Sequence, residues 1–570
     1  MRDHNKRRTG SARAFLSVAG LALAFQSVPA RGDDVRTIDE LIVEQNSIVE
    51  RYTPPPEGGR VSVRVVPATR LPAGADPNRH VLLKQVRTEG ATLYQDIDLQ
   101  PLWTDKIGQK ITLGDLADLT ERIEQFYRDR GTFAQVLVPA QDFSTGSVRI
   151  AIYDQSYIST VETTGDAIAL RTRLAPYVER IVRMRPIRVA EVERVLLLMS
   201  DISGMDITAI LRRPDIAGEG GSMSLEINFR RHQARVSLDN SGSEEIGPLM
   251  LFGSYQANDV LGAFEATKLT AVTVPNSPQE LILASISQQV PIGYDGFLVG
   301  YKIAGTIAQP EGEVKNLGLK SSSLEGRIYA SYPFLRTLDH SITGTIAFNS
   351  QNAKLESHGN QLTEDSYRWL SIAADMENDL GFADLSIGLE FRQGLDILAA
   401  TGQGAPLASQ SGARPDFQLV QLAADLDVKL SENNSLLLRT FGQYAFQDLP
   451  PIEQISFGGD PFGRAFDSSV ASGDSGLIGS LQLSRNLNFG QDYVRQASAF
   501  GFVDYGLLYK RNAANDDGTT TLGSAGIGLK AVLPGGFASS FVIAVPVEID
   551  EDAGIDDTGA RLGFSVRKRF

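Results

Sequence analysis

The chain has 570 residues, a formal net charge of −15 and no cysteine. An acidic surface repels phosphate backbones and argues against nucleic acid as a partner; the lack of cysteine excludes a disulfide scaffold, thiolate metal sites and a lipid-anchored cysteine. Fifty-four glycines, with few long helical patterns, suggest a chain rich in strands and turns.

Residues 1–30 read as a cleavable secretory signal. Arg2, Lys6, Arg7, Arg8 and Arg13 form a basic region, Ala14 to Phe25 an apolar core, and cutting is expected after Ala30. About 12 apolar residues are too few for a helical membrane span, which needs about 20. In residues 31–79, Thr37 and Glu40 form a capping box ahead of a stripe of Ile38, Leu41, Ile42, Ile48, Val49 and Tyr52. The spacing predicts a lone amphipathic helix over 37–52. "TPPPEGG" and a stretch without structure to about Asn78 should tether it loosely to the rest.

Two similar α/β modules follow, at 80–155 and 156–231. In the first, a helix capped at Thr112 and stopped at Gly131 turns Leu113, Leu116, Leu119, Ile123 and Phe126 or Tyr127 inward, and strands "AQVLVP" and "SVRIAIY" come after it. The second repeats the order with "VAEVERVLLLMSDISG", "DITAILRR" and "MSLEINF", and Gly204 stands where the first module has Gly131.

From 232 to 570 the period changes to two. "FADLSIGLEFR" sets Ala383, Leu385, Ile387, Leu389 and Phe391 against Asp384, Ser386, Glu390 and Arg392, and "LAADLDVKL" and "RLGFSVRKRF" alternate in the same way. A soluble sandwich alternates too, but so long a stretch behind an export signal, ending in Phe570, fits a mainly β transmembrane barrel. At about 21 residues per strand and connection it would have about 16 antiparallel strands, an even number as closed bacterial barrels require.

The quartet Gly473-Asp474-Ser475-Gly476 has the letters found around many protease nucleophiles. The chain's five histidines, His4, His80, His232, His340 and His358, stand singly in polar surroundings, so a base for Ser475 is not evident. No phosphate-cradling Gly-x-x-x-x-Gly-Lys motif occurs, and no cofactor is expected.

In the order of its motifs the chain resembles the two-partner secretion transporters of the haemolysin secretion/activation type, relatives of the barrel assembly proteins. The likeness rests on "VPAQDFSTGSVRIAIYDQ", "LDNSGSEEIG", "FRQGLDILAATG" and the stretch 457–477. It implies a plug helix, two polypeptide-transport-associated (POTRA) modules in the periplasm and a barrel in the outer membrane of a Gram-negative cell. Gly458-Gly459, Gly463-Arg464-Ala465-Phe466 and the Gly473 quartet then belong to a long extracellular loop that folds back into the barrel. Ser475 becomes its variable letter, and Ala465 stands where the family has glycine. Phe502-x-Asp504-x-Gly506 matches the inner-wall motif, so Arg464, Phe466, Phe502, Asp504 and Gly506 would lock the loop to the wall. "NDVLGAFEATKL" departs from the family by lacking Gly-Asp after Leu261-Gly262. The resemblance implies no enzyme but a translocator for an unfolded exoprotein, with membrane lipid and the barrel assembly machinery, which would read the strand ending in Phe570, as further partners. The alternatives are a barrel-insertion factor and, more remotely, a diffusion porin.

Overall fold

The computed structural model describes residues 38–52, 54–56, 59–65, 75–212, 219–487, 494–511, 518–550, 555 and 559–570. The expected secretory leader and the Thr37 half of the expected first capping box lie outside these residues. The chain forms two compact units, one built on 58–230 and the other on 231–570 together with helix α1 (Ile38–Tyr52); residues 336–338 group with the former.

In the first unit, short α2 (Asp96–Leu99) precedes α3 (Leu113–Asp129). The Thr112 hydroxyl accepts from Asp115 N at 3.1 Å, and the Asp115 carboxylate accepts from Thr112 N at 2.8 Å. These bonds hold the Asp115 carboxyl below the usual carboxylate range. Leu116, Leu119, Ile123 and Tyr127 are fully buried with Val148, Ile150 and Ile152 of the central strand Ser147–Tyr153. Each such side chain contributes about 1.5–3 kcal/mol by leaving water. That strand pairs in parallel with Gln85–Glu89 and antiparallel with Gln135–Leu137. Gly131 ends the helix region at φ +80, and Gly204 repeats this at φ +82 after α5 (Val189–Ser200).

The second module differs from expectation in two ways. It has a helix that period reading missed, α4 (Ala167–Val182), because Pro176 sits inside it and reads as a breaker. Its sheet runs Val61–Val65, Met205–Arg212, Gly221–Phe229, Ile158–Gly165, so part of the stretch expected to lack structure is an edge strand, parallel to Met205–Arg212 with Val61 opposite Ile207. Five residues are too few to show a period of two until the partner strand is in view. Gly59 leads into this strand, donating its N–H to Ser200 O at 2.8 Å; a Cβ there would stand 1.8 Å from Met205 O.

The second unit is a closed barrel of sixteen antiparallel strands, from His232–Asp239 to Arg561–Arg569. Along Gln496–Tyr509, Val503, Tyr505, Leu507 and Tyr509 are exposed, whereas Phe502, Asp504 and Leu508 are buried inside. Among the described residues no helix is long and apolar enough to cross a membrane; the apolar outer band is carried by strands, whose backbone groups are all paired by closure. The ladders differ in length: His340–Ser357 and Asn360–Asp379 share eighteen rungs, the closing pair His232–Asp239 and Arg561–Arg569 only five. Asn240, in the "LDNSGSEEIG" motif, extends that short seam with its side chain. Its Nδ2 donates to Leu562 O at 2.7 Å and its Oδ1 accepts from Phe564 N at 2.6 Å, as a peptide group would. In the turn that lacks the family Gly-Asp, the buried Glu265 accepts from Leu261 N at 2.6 Å and Ala263 N at 3.1 Å, holding Gly262 at φ +81.

Candidate functional site: the filled lumen

Two segments of the barrel unit occupy its interior, the long loop 446–474 and α1. The loop carries a short hairpin, Ile455–Phe457 with Ala471–Gly473, and the turn between them brings Arg464 to the wall. Gly458 makes that turn possible: it sits at φ +125, and a Cβ would stand 2.1 Å from Asp467 O.

Arg464 meets Asp504 in a two-pronged contact, with Nη2 to Oδ1 at 2.7 Å and Nε to Oδ2 at 3.1 Å. The backbone N–H groups of Gly463 and Arg464 also donate to Oδ2, at 3.2 and 3.1 Å, and so does the Ser524 hydroxyl at 2.9 Å. The remaining guanidinium donors reach Gln482 Oε1 at 3.0 Å and Ser480 Oγ at 2.7 Å, and the Phe502 ring lies 3.4 Å beneath the guanidinium carbon. The side chains are 8% and 0% exposed. Every donor of the fork but one Nη1 hydrogen therefore has a named acceptor, and the pair is shielded from water. Phe466 is fully buried against Phe457, their centroids 6.0 Å apart. Gly506 faces Phe457 so closely that a Cβ would stand 2.5 Å from the ring. Gly506→Val is expected to push Phe457 aside, costing about 1–3 kcal/mol of loop packing, and to raise protease nicking of the loop in the inserted protein; nicking at the wild-type rate would show that the ring has room.

Ala465, at the family's glycine position, is buried and does not have a positive φ. Alanine is accommodated without backbone strain. Ser475 accepts from Ala445 N at 3.0 Å, and Asp474 takes Leu449 N and Arg511 N at 2.9 and 2.8 Å, so the quartet ties the loop's root to its neighbours. Three of the four described histidines bond elsewhere, His232 to Tyr255, His340 to Asn378 and His358 to Ser357, and the fourth, His80, begins a strand of the other unit.

Helix α1 lies against the inner wall. Ile48, Val49 and Tyr52 pack with Ile246, Met250, Phe252, Leu281 and Leu283, and Tyr52 stacks on Phe252 at 5.5 Å. Ile42 and Val43 are buried, and so are the polar Glu44 and Gln45 on another face, because the helix is enclosed. Gln45 donates to Ser321, Glu44 accepts from Ser243 N at 3.2 Å, and the Tyr52 hydroxyl donates to Asp239 at 2.8 Å. Arg51 reaches Ser468 of the loop at 3.4 Å, so helix and loop touch. Ile38 begins the helix; its side chain and that of Leu41 lie outside the described atoms.

Sequence reasoning missed a second ion pair between loop and wall, Arg392 Nη1 to Glu453 Oε2 at 2.7 Å, and a third, Arg561 Nη1 to Asp467 Oδ1 at 2.5 Å. The parity of Arg392 and Arg561 within their strands marks both as inward-facing; their partners are far away in sequence, where parity gives no guide.

The chain matches the family model described as haemolysin secretion/activation protein ShlB/FhaC/HecB over residues 227–531, and a ShlB-type POTRA domain over 81–154. It is 21% identical over 484 residues to the heme/hemopexin transporter protein HuxB of Haemophilus influenzae, covering 80% of this chain and 81% of that one. To the hemolysin transporter protein ShlB of Serratia marcescens it is 22% identical over 491 residues, covering 80% and 81%. Among solved structures, CdiB from Escherichia coli aligns with a TM-score of 0.68 at 16% identity, over 93% of this chain and 98% of that chain.

Proposed function

This chain belongs to the haemolysin secretion/activation protein family ShlB/FhaC/HecB, and from that premise we propose how its parts share the work of an outer-membrane transporter that secretes an exoprotein partner. The modules, in the periplasm, capture the unfolded partner. They offer short sheets with open edges, such as Gln85–Glu89, to which an extended chain adds by main-chain hydrogen bonds while neighbouring grooves read its side chains. The barrel supplies the path, and α1 together with loop 446–474 keeps it shut at rest.

The observation that carries this reading is the filled lumen. A diffusion porin has no use for a helix bound along its wall by Tyr52, Gln45 and Glu44. A barrel-insertion factor shares the architecture, but the relatives named above are transporters, which favours secretion. Absence of a nucleotide-cradling motif leaves the partner's own folding outside the cell as the driving force. Outer-membrane lipid would contact the exposed apolar band, and the assembly machinery would receive the strand that ends in Phe570.

Deleting residues 80–229 behind the intact leader should leave a heat-modifiable barrel in the outer membrane and the partner stranded in the periplasm. Undiminished secretion by that variant would sink the capture role of the modules.

A further inference from the structure

The motif "FRQGLDILAATG" does more than close a strand. Asn360–Asp379 outlasts its neighbour Ala383–Gly394, whose last rung joins Gly394 to Trp369. The chain beyond Gly394 continues the ladder irregularly: Leu395 N donates to Arg368 O at 2.8 Å and Thr401 N to Ser366 O at 2.7 Å. The five residues between, 396–400, leave the wall as a tight finger closed by Ala400 N to Ile397 O at 3.2 Å. At its tip Leu398 and Ala399 hold φ values of +53 and +57, consecutive left-handed residues that are not glycine. Such a conformation is unfavourable and persists only where the surroundings impose it. Ile397 is 46% exposed and Leu398 67%.

The finger's place in the wall identifies what covers it. Inside, Tyr367 and Trp369 are sealed by Phe417, Leu419, Ala445 and Leu449, a cluster that neither Ile397 nor Leu398 joins. Ile397 and Leu398 are exposed and stand outside that cluster, and the strand residues of opposite parity beside the finger, Ser366, Arg368 and Leu370, face outward. Directly below are Leu370, Ile372, Leu389 and Phe391, all exposed members of the outer apolar band, with Ile372 opposite Phe391. Arg368, the cation beside it, is 8% exposed and turned along the wall, donating to Gln351 O, Tyr367 O and Asn352 Oδ1. Polar groups stand between, Gln393 across from Leu370 and the exposed Asp396 at the finger's own root, so the finger sits at the upper margin of the lipid-facing band. Ala383–Gly394 is the ninth strand counted from the periplasmic end of His232–Asp239, so it ends on the cell-surface side.

We propose that residues 396–400 form a lipid-anchoring finger that seats Ile397 and Leu398 among the acyl chains of the outer leaflet. The loop 395–417 begins at this point, and Gln410 in it touches Gln454 of the inward loop at 3.2 Å. An anchored finger gives the loop 395–417 a fixed foot in the membrane. The inference goes beyond the secretion reading and does not depend on it.

The chain has no cysteine, so Leu398→Cys carries a single nitroxide without further changes. The labelled full-length protein is placed in vesicles of phosphatidylethanolamine and phosphatidylglycerol, and its collision rates with oxygen and with a water-soluble nickel chelate are compared. Leu370→Cys reports the band, and Lys315→Cys, in another cell-surface loop, reports water. The ratio of oxygen to nickel collisions at position 398 should match position 370 and exceed position 315 several-fold. A ratio matching position 315 overturns the proposal. So does spin–spin broadening at 398 that disappears on dilution with unlabelled protein, since a second copy would then be the cover. If Leu398→Cys fails to insert, Ile397→Cys makes the same comparison.

Discussion

Arg464→Ala should reach the outer membrane as a folded, heat-modifiable barrel and yet fail to secrete. The fork between Arg464 and Asp504 is shielded from water, so its removal strands a carboxylate and should cost about 3–5 kcal/mol of loop placement; at 1.4 kcal/mol per tenfold, even the lower figure outweighs a marginal loop equilibrium. The barrel itself keeps its ladders, which is why folding survives. Arg464→Lys should do nearly as badly, because an ammonium cannot span both oxygens of Asp504 and also reach Gln482 and Ser480. Asp504 would keep the Ser524 donor on the wall in either variant, so the loss should appear as loop displacement and not as unfolding. Asp504→Ala should mimic both. In a double-mutant cycle scored by secretion, the two losses should be far from additive. Full secretion by Arg464→Ala, or strict additivity, would show that the loop is held by other contacts.

The second large effect is electrical. Deleting residues 31–58 removes a helix about 10–12 Å across from the lumen, and single-channel conductance in planar bilayers should rise several-fold. Burial of Ile48, Val49 and Tyr52 against the wall contributes about 1.5–3 kcal/mol each, so the plugged state should dominate in the intact chain, with brief openings. Tyr52→Phe, which removes the bond to Asp239 while keeping the stack on Phe252, should lengthen those openings without abolishing plugging. An unchanged current after the deletion would place α1 outside the lumen at rest.

What could be read in advance follows from the range of the forces involved. The strand period and the Thr112 cap act over a few residues, so the barrel, its strand number and α3 were visible in the letters. Arg464 and Asp504 came from a resemblance in motif order; nothing in their spacing of forty residues requires that they meet. Tyr52 with Asp239, Gln45 with Ser321 and Arg392 with Glu453 depend on which strands the closed wall brings opposite each other, which no local pattern encodes. Val61–Val65 was invisible for a related reason: an edge strand of five residues owes its existence to the partner it joins.

The closing seam of the barrel is completed at its cell-surface end by the carboxamide of Asn240, beside its own backbone N–H, which donates to Phe564 O at 3.2 Å. A backbone rung is released only when the main chain moves, whereas a side-chain rung is released by one rotation about χ1, which for accessible residues takes picoseconds to nanoseconds. The two carboxamide bonds can therefore open and reclose while the Asn240 main chain stays bonded to Phe564 O, like a zip whose last teeth carry a hook. Release of the whole seam end still needs the main chain to move.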